Sequence, residues 1–280
     1  MRALLLVTLV AAAPVWAASA TRTIERTLPG RPVVLVVHRY GDVSVTGSDR
    51  AGATARARVR VEASSQAAAE AFASSVRLLV SERGETAVVA TEYPTAPGPD
   101  TGLSFGADIE LDLPAALGVA VMSQFGDVRV FDVAGPSRIE HRYGDVEVAR
   151  VGDCAINSRY GEVRIEDARG RLAVNSGFGD IRLVGLDDSS RVEHRYGSVE
   201  VRDCHRHARV DNLWGDVRLA MGRGLPFILD GHARQGNVRA PRPLVVSDDG
   251  SVRLVTGQMG RGGPLIEVHT VMGDIEVQRK

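Results

Sequence analysis

The chain has 280 residues, of which 44% are hydrophobic, 25% are charged and 5% are aromatic. This length and apolar fraction are sufficient for a buried core in one or two domains. The formal net charge is -1, which gives no electrostatic reason to expect nucleic acid or an anionic membrane surface as a partner.

Residues 1–20 have the pattern of a secretory signal peptide. Arg2 supplies the positive start, and Ala3 to Val15 is an apolar run of 13 residues that small residues follow. The run is shorter than the roughly 20 residues that a transmembrane helix needs, and no later segment is apolar enough to be such a helix. We expect cleavage after Ala17 or Ala20, which predicts an extracytoplasmic protein, periplasmic or secreted, without a transmembrane segment.

Residues 21–120 are predicted to form a β-rich N-terminal part with one helix. Val33 to Val37 and Ala55 to Glu62 have strand character, and an Ala-rich stretch predicts a short helix near residues 65–78. Pro94 to Gly102 is a predicted loop, because proline and glycine interrupt regular structure. We expect this part to cap the first coil of the repeats that follow.

Residues 121–280 repeat a short phrase: an aromatic residue, glycine, an acid, and valine or isoleucine. In the regular block, residues 121–220, the six glycines of the phrase are 18, 17, 18, 18 and 18 residues apart. Such a period is typical of repeat architectures in which each unit stacks on its neighbours. An earlier copy occurs at Tyr40-Gly41-Asp42-Val43. Weaker copies occupy the irregular block, residues 221–280, at Gln235-Gly236, Asp249-Gly250 and Met272-Gly273.

Each repeat contains two predicted strands. Aliphatic residues three and five positions after the aromatic, such as Val146 and Val148, flank an outward residue such as Glu147. A second strand precedes the aromatic, with Ile139 inward and Arg138 outward. Antiparallel hairpins could use this unit, but we favour an all-β, β-helix-like solenoid of parallel coils of about 18 residues, because like residues recur at like positions.

The glycine of the phrase is predicted to mark a structural turn with positive φ, where a Cβ would be unfavourable. These structural repeat turns are Gly41, Gly126, Gly144, Gly161, Gly179, Gly197, Gly215, Gly236, Gly250 and Gly273. The aromatic should fold over the corner of the coil and stack on its neighbours.

The acids of the phrase should form a row along one edge, about 4.8 Å apart. They are Asp127, Asp145, Glu162, Asp180 and Asp216. Bare carboxylates so close repel, so we expect hydrogen bonds from turn amides and pairing with the arginines just before the aromatics. Those arginines are Arg142, Arg159 and Arg195. A calcium ladder is the alternative metal site, although the glycine-rich nonapeptide of calcium-binding β-rolls is missing from the sequence.

Histidine and cysteine give further candidates, for which we favour structural roles. His38, His141 and His194 recur in the sequence His-Arg-Tyr-Gly and are interpreted as corner histidines, since stacking keeps them coils apart. Cys204, His205 and His207 could hold zinc or copper, but a surface turn above a buried thiol is favoured. Cys154 and Cys204 occupy different repeat positions, which predicts two buried free thiols rather than a disulfide.

The chain resembles the bacterial DUF4097 family of β-strand-repeat proteins, which are also labelled adhesins. The likeness rests on the early Tyr40-Gly41-Asp42-Val43, the helix-containing insertion, the acidic strand ending near Leu113-Pro114, and the train of Gly-Asp-Val coils. It implies an extracytoplasmic β-solenoid and supplies neither catalytic residues nor a cofactor.

The sequence therefore predicts a non-enzymatic scaffold or binding surface at the bacterial cell envelope. The expected partner is an envelope protein or a glycan, and self-association through the faces or an uncapped end is possible. The alternative is a solenoid enzyme that acts on polysaccharide, which would need acids clustered in a groove. A component of an envelope-stress sensor is a third, weaker hypothesis.

Overall fold

The computed structural model describes residues 18–95 and 102–279. The predicted signal peptide lies outside the described residues except for Ala18 to Ala20, and so does most of the predicted Pro94–Gly102 loop. Within these residues, the fold is the expected all-β solenoid with one short helix. Two long, mostly parallel sheets form it: sheet A with 12 strands and sheet B with 13 strands.

The elements follow in chain order. The N-terminal part contains β1 (Ala18–Thr27), β2 (Val33–Tyr40), β3 (Val43–Ser48), β4 (Thr54–Ala63), α1 (Gln66–Ser75), β5 (Arg77–Arg83), β6 (Thr86–Glu92) and β7 (Ser104–Pro114). The regular coils contain β8 (Gly118–Phe125), β9 (Val128–Phe131), β10 (Ser137–Tyr143), β11 (Val146–Ala149), β12 (Cys154–Tyr160), β13 (Val163–Ala168), β14 (Leu172–Phe178), β15 (Ile181–Leu186), β16 (Ser190–Tyr196), β17 (Val199–Cys204), β18 (Ala208–Trp214) and β19 (Val217–Met221). The last part contains β20 (Phe227–Gln235), β21 (Val238–Arg239), β22 (Val245–Asp248), β23 (Arg253–Met259), β24 (Leu265–Met272) and β25 (Ile275–Arg279).

Each regular coil places one strand in each sheet. Strands stack in parallel and in register, so that Val146 pairs with Val128 on one side and Val163 on the other. The aliphatic residues of both strands point between the sheets and are almost fully buried, for example Ile139 and Val148. Their apolar ladders form one continuous core. Burial of this apolar surface is what stabilises the stacking of neighbouring coils. The hairpin alternative is therefore wrong for this block.

The helix covers the N-terminal end of the solenoid. Ser65 caps α1 by accepting a hydrogen bond from the backbone N–H of Ala68, and Ala69, Phe72 and Ala73 are buried beneath the helix. At the other end of α1, the Arg22 guanidinium donates to the carbonyl of Ser74 at 2.6 Å. Strand β4 pairs antiparallel with β1 and β7, so this end departs from the parallel stacking of the coils.

The spatial order of the coils differs from their sequence order at both ends. The coil of β2 and β3 lies between the later coils of β6–β7 and β8–β9. At the other end, β24 and β25 pair directly with β18 and β19. The coil of β20 and β21 then stacks outside them. After β19 the chain thus first forms β20 to β23 at the end of the stack. Strands β24 and β25 then pair between β20 and β21 on one side and β18 and β19 on the other.

One weak copy of the phrase is not a coil. Asp249-Gly250 lies in the turn of an antiparallel hairpin between β22 and β23, where the Asp249 carboxylate accepts from the N–H groups of Ser251 and Val252. The interpretation of Gly250 as a repeat turn is therefore corrected. Asp-Gly favours hairpin turns as strongly as coil corners, and the short pattern does not distinguish them.

Candidate functional site

The corner glycines lie where the backbone needs a left-handed conformation and where neighbouring coils touch. Gly179 has φ +113°, and a Cβ there would lie 2.6 Å from the carbonyl carbon of Gly161 in the adjacent coil. Positive φ values also occur at Gly41, Gly126, Gly144, Gly161, Gly197, Gly215, Gly250 and Gly273. Gly236 does not share this conformation, but its backbone packs equally closely on Gly273.

The corner aromatics form one continuous stack along the solenoid. Its members are Tyr40, Phe125, Tyr143, Tyr160, Phe178, Tyr196 and Trp214. Neighbouring ring centroids are 4.7 to 6.2 Å apart, and the regular members are about two-fifths exposed. The ring faces cover each other and the edges face solvent. The stack therefore offers no broad row of open faces on which sugar rings could lie.

The acid row caps the turns of the coils. The Asp127 carboxylate accepts from the backbone N–H of Asp145 at 3.0 Å, and the Asp145 carboxylate accepts from that of Glu162 at 2.9 Å. Asp180 and Asp216 accept in the same way from Ser198 and Asp274. Each of these aspartates thus uses one oxygen to satisfy an amide of the next coil.

The arginines that pair with the acid row are not the expected ones. Arg129 contacts Asp127 at 2.9 Å and Asp42 at 3.4 Å, and Arg164 contacts Glu162. Both arginines lie two residues after an acid, on the same outer face of sheet A. The arginines before the aromatics lie on sheet B instead, because the chain turns its corner between them and the acids.

A row of buried polar side chains runs inside the corner, two positions before the aromatics and, in the coil of β24, two positions before Met272. Its members are His38, Ser123, His141, Ser158, Ser176, His194, Asn212 and Thr270. The histidines are separated by other members of the row, as the sequence predicted. Burial lowers the pKa of His141 and His194. In His194, a contact of 3.2 Å between Nδ1 and the Ser176 carbonyl opposes that effect. These histidines are buried core residues, and their burial favours the uncharged ring.

The side chains around Cys204 do not converge on one point. Cys204 is buried and donates to the carbonyl of Arg206, while His205 and His207 contact Asp187 and Glu267 separately. Burial raises the pKa of the Cys204 thiol to about 11 and that of Cys154 to about 12. Both thiols are free. Such protonated, enclosed thiols are poor metal ligands and poor nucleophiles.

The outer face of sheet B carries a groove that the sequence analysis missed. One depression of about 480 Å³ crosses β8 to β14, and a second of about 490 Å³ continues over β14 to β24; both include Asn175. An Arg row forms one wall: Arg142, Arg159 and Arg195. An amide–acid row forms the other: Glu140, Asn157, Asn175, Glu193 and Asp211, which are in register on successive strands. We call this feature the sheet B groove.

The amide–acid row is uncharged in the middle of the groove and lies beside small side chains there, whereas both ends of the row carry ion pairs. Arg138 pairs with Glu140 at 2.8 Å on one side, and Arg191 pairs with Glu193 at 2.8 Å on the other. Between them, Ala155 and Ala173 occupy the positions that arginine has in the flanking coils. Within the described residues, the side-chain amides of Asn157 and Asn175 have no hydrogen-bond partner, so they are open to a ligand.

The carboxylates with a clear pKa change are poor candidates for a catalytic acid. Burial would raise the pKa of Asp211, but hydrogen bonds from Arg209 and His269 outweigh it and lower the value. Hydrogen bonds from the Arg171 backbone and side chain lower the pKa of Asp153. A glycosidase acid needs a raised value instead.

Comparisons with known proteins find solved structures that are similar at low identity and low TM-score. No protein-family model matches the chain, and no curated protein matches it. A "putative lipid binding protein" from Parabacteroides distasonis is 10% identical with a TM-score of 0.38, over 93% of this chain and 96% of that one. A "putative adhesin" from Parabacteroides merdae is 8% identical with a TM-score of 0.34, over 93% and 96%. A "putative cell adhesion protein" from Clostridium sporogenes is 9% identical with a TM-score of 0.27, over 93% and 100%. These low scores carry no argument about what this protein binds.

Proposed function

We propose that this protein is a non-enzymatic binding scaffold of the bacterial cell envelope, and that the sheet B groove binds a glycan. The observation that carries the proposal is that the side-chain amides of Asn157 and Asn175 are unpaired and lie between the charged residues of the same row. Amide groups both donate and accept hydrogen bonds, as sugar hydroxyls do. An extended chain lying along the groove would meet a polar side chain from each coil, about 4.8 Å apart.

The rigid solenoid supports a binding role. Parallel ladders hold the outward residues of β10, β12, β14 and β16 in fixed register, so that little side-chain and backbone order has to be gained on binding. Arg159 adds a planar donor at the wall of the groove, beside the two amides. The site therefore matches a neutral or weakly acidic polysaccharide better than an apolar ligand.

The rival hypothesis, a polysaccharide-acting enzyme, receives less support from the same surface. The aspartates of the phrase lie at the corner of the coil and accept backbone hydrogen bonds, as Asp145 does from Glu162, while the Glu162 carboxylate pairs with Arg164. The acids of the groove, such as Glu140 and Glu193, pair with arginines of their own strands. Neither set offers a carboxyl group held neutral beside a second carboxylate.

Export to the envelope belongs to the proposal. Strand β1 begins at Ala18 and pairs with β4 along its length, with Ala18 opposite Ala63. Cleavage after Ala17 would leave β1 intact, whereas cleavage after Ala20 would remove three of its residues. Within the described residues, we find no helix that is both long and apolar enough to cross a membrane. Membership of the DUF4097 family and a division near residue 120 are further parts of this proposal.

The experiment is a glycan-binding screen of the purified protein, followed by titration of any ligand found. We expect the double variant N157A/N175A, and separately R159A, to weaken binding at least tenfold. Arg182→Ala is the matched control, because Arg182 is an outward arginine of sheet A. Binding that survives the groove substitutions, or that R182A abolishes, would place the site elsewhere. Release of shortened glycan, lost on changing one acid, would establish the enzyme.

A further inference from the structure

Two histidines of the C-terminal coils face each other on the outer surface of sheet B. His269 of β24 and His232 of β20 are direct partners on adjacent parallel strands. Their ring centroids are 5.0 Å apart, and the ring planes meet at 88°. Both side chains are partly exposed. Asp211 of β18 is in register with His269 on the other side, so the three residues form a short outward row.

A carboxylate orients each ring. The Nδ1 of His269 lies 2.9 Å from Oδ1 of Asp211, and the Nε2 of His232 lies 2.9 Å from Oδ1 of Asp230. Arg209 is 3.5 Å from the same Nδ1 of His269, which is too far to compete with that carboxylate. A ring that donates one N–H to a carboxylate presents a lone pair on its other nitrogen. This carboxylate–histidine arrangement is the usual support of a metal-binding imidazole.

The spacing of the rings fits one shared ion. A zinc–nitrogen bond of about 2.0 Å and a ring radius of about 1.1 Å place each centroid about 3.1 Å from the metal. Two such rings at a tetrahedral angle have centroids about 5 Å apart. The observed 5.0 Å agrees with this value. Within the described residues, neither Nε2 of His269 nor Nδ1 of His232 has a hydrogen-bond partner.

The local charge favours a cation. Asp211, Asp230 and Glu267 lie on the three neighbouring strands of this patch, against the two guanidinium groups of Arg209 and Arg234. The Glu267 carboxylate also contacts His207 at 2.9 Å. Across residues 18–95 and 102–279, no three His, Cys, Asp or Glu side chains are already grouped around one point. A metal here would have two protein ligands and open positions for water.

We propose that His232 and His269 bind one transition-metal ion of the Zn²⁺ or Cu²⁺ class. The Nε2 of His269 and the Nδ1 of His232 are the ligands, and Asp211 and Asp230 hold the rings. Borderline-soft ions of this class prefer imidazole nitrogen, whereas calcium and magnesium prefer oxygen. The site lies at the end of the sheet B groove that includes Asp211 and His269, and it does not depend on glycan binding.

The test uses the untagged protein, titrated with ZnCl₂ and CuCl₂ by calorimetry, with Cu²⁺ also followed by electron paramagnetic resonance. We expect one equivalent to bind and two imidazole nitrogens to couple to Cu²⁺. His232→Gln and His269→Gln should each weaken binding at least tenfold, with the circular dichroism of the folded protein unchanged. His205→Gln is the matched control, because His205 is a similarly exposed histidine beside an aspartate, Asp187, away from the pair.

Three results would overturn the proposal. The first is failure of the protein to bind either ion saturably. The second is binding by H232Q and H269Q that is as tight as binding by the wild-type protein. The third is a loss of affinity in H205Q as large as the loss in H232Q or H269Q. If a glutamine variant fails to fold, imidazole ¹⁵N shifts of the wild-type protein provide the second measurement. On adding Zn²⁺, the Nε2 of His269 and the Nδ1 of His232 should shift, and those of His205 should not.

Discussion

Replacement of Gly179 by alanine should destabilise the solenoid strongly. The residue has φ +113°, which costs an L-residue about 1–3 kcal/mol. The added Cβ would also stand 2.6 Å from the carbonyl carbon of Gly161 and 3.2 Å from the backbone nitrogen of Glu162. Because those atoms belong to the neighbouring coil, relief of the clash requires the coils to separate, at about 1–3 kcal/mol more. We expect a total loss of about 2–6 kcal/mol in the free energy of unfolding, measured by urea denaturation.

Two controls separate the causes of this loss. Gly84 has φ +60°, but a Cβ there meets nothing within 4 Å, so G84A should cost only about 1 kcal/mol. Arg182→Ala removes an exposed side chain that lies 3.9 Å from Glu200 and should cost less than about 1 kcal/mol. If G179A were no more destabilising than G84A, close coil-to-coil contact at the corner would be refuted.

Three further results are expected. Asp145→Ala should lower the free energy of unfolding, measured by urea denaturation, by about 1 kcal/mol, because it leaves the N–H of Glu162 without its acceptor. D145N keeps an acceptor oxygen and should lose less, so equal losses in the two variants would contradict turn capping. Burial lowers the pKa of His141 below 6.5, so the unfolded chain binds more protons from about pH 6.5 down to the folded-state pKa. The free energy of unfolding should therefore fall as the pH drops through this range, and H141S should reduce that slope. Cys154 and Cys204 should resist a thiol reagent when folded and give two equivalents in denaturant, and fast labelling of the folded protein would argue against their burial.

The regular coils could be predicted because their phrase combines several independent signals. Alternation around Glu147 and Arg138 identified the inward and outward faces, and the constant period indicated parallel stacking. The helix was predictable from its Ala-rich stretch and the serine before it. These are local properties, and the structure that they specify is local as well.

The order of the terminal coils could not be predicted from the same pattern. Every coil presents similar aliphatic ladders, so the phrase at Met272 does not indicate whether its coil follows Gln235 or precedes it in space. The left-handed residues that follow the sheet A strand of each coil were equally hard to predict, because they include Asp132 and Arg150 rather than glycine alone. Their side chains form an ion pair at 2.6 Å, and the stacking of neighbouring coils brings them together.

The groove was missed because its residues are unremarkable one by one. Asn157 and Asn175 stand at ordinary outward positions of their strands, 18 residues apart. Their significance comes from what the flanking coils contain at the same position, namely Glu140 and Glu193 with their arginines. Comparison of outward residues along a row, rather than of the phrase itself, would have detected the change of charge.

The most direct test of the proposed function is nuclear magnetic resonance of the side-chain amides during titration with a glycan that the screen identifies. The account predicts that the NH₂ signals of Asn157 and Asn175 shift together and saturate, while the glycan keeps its length. Unchanged asparagine signals with a bound glycan would contradict the groove as the binding site. New reducing ends would contradict a non-enzymatic scaffold.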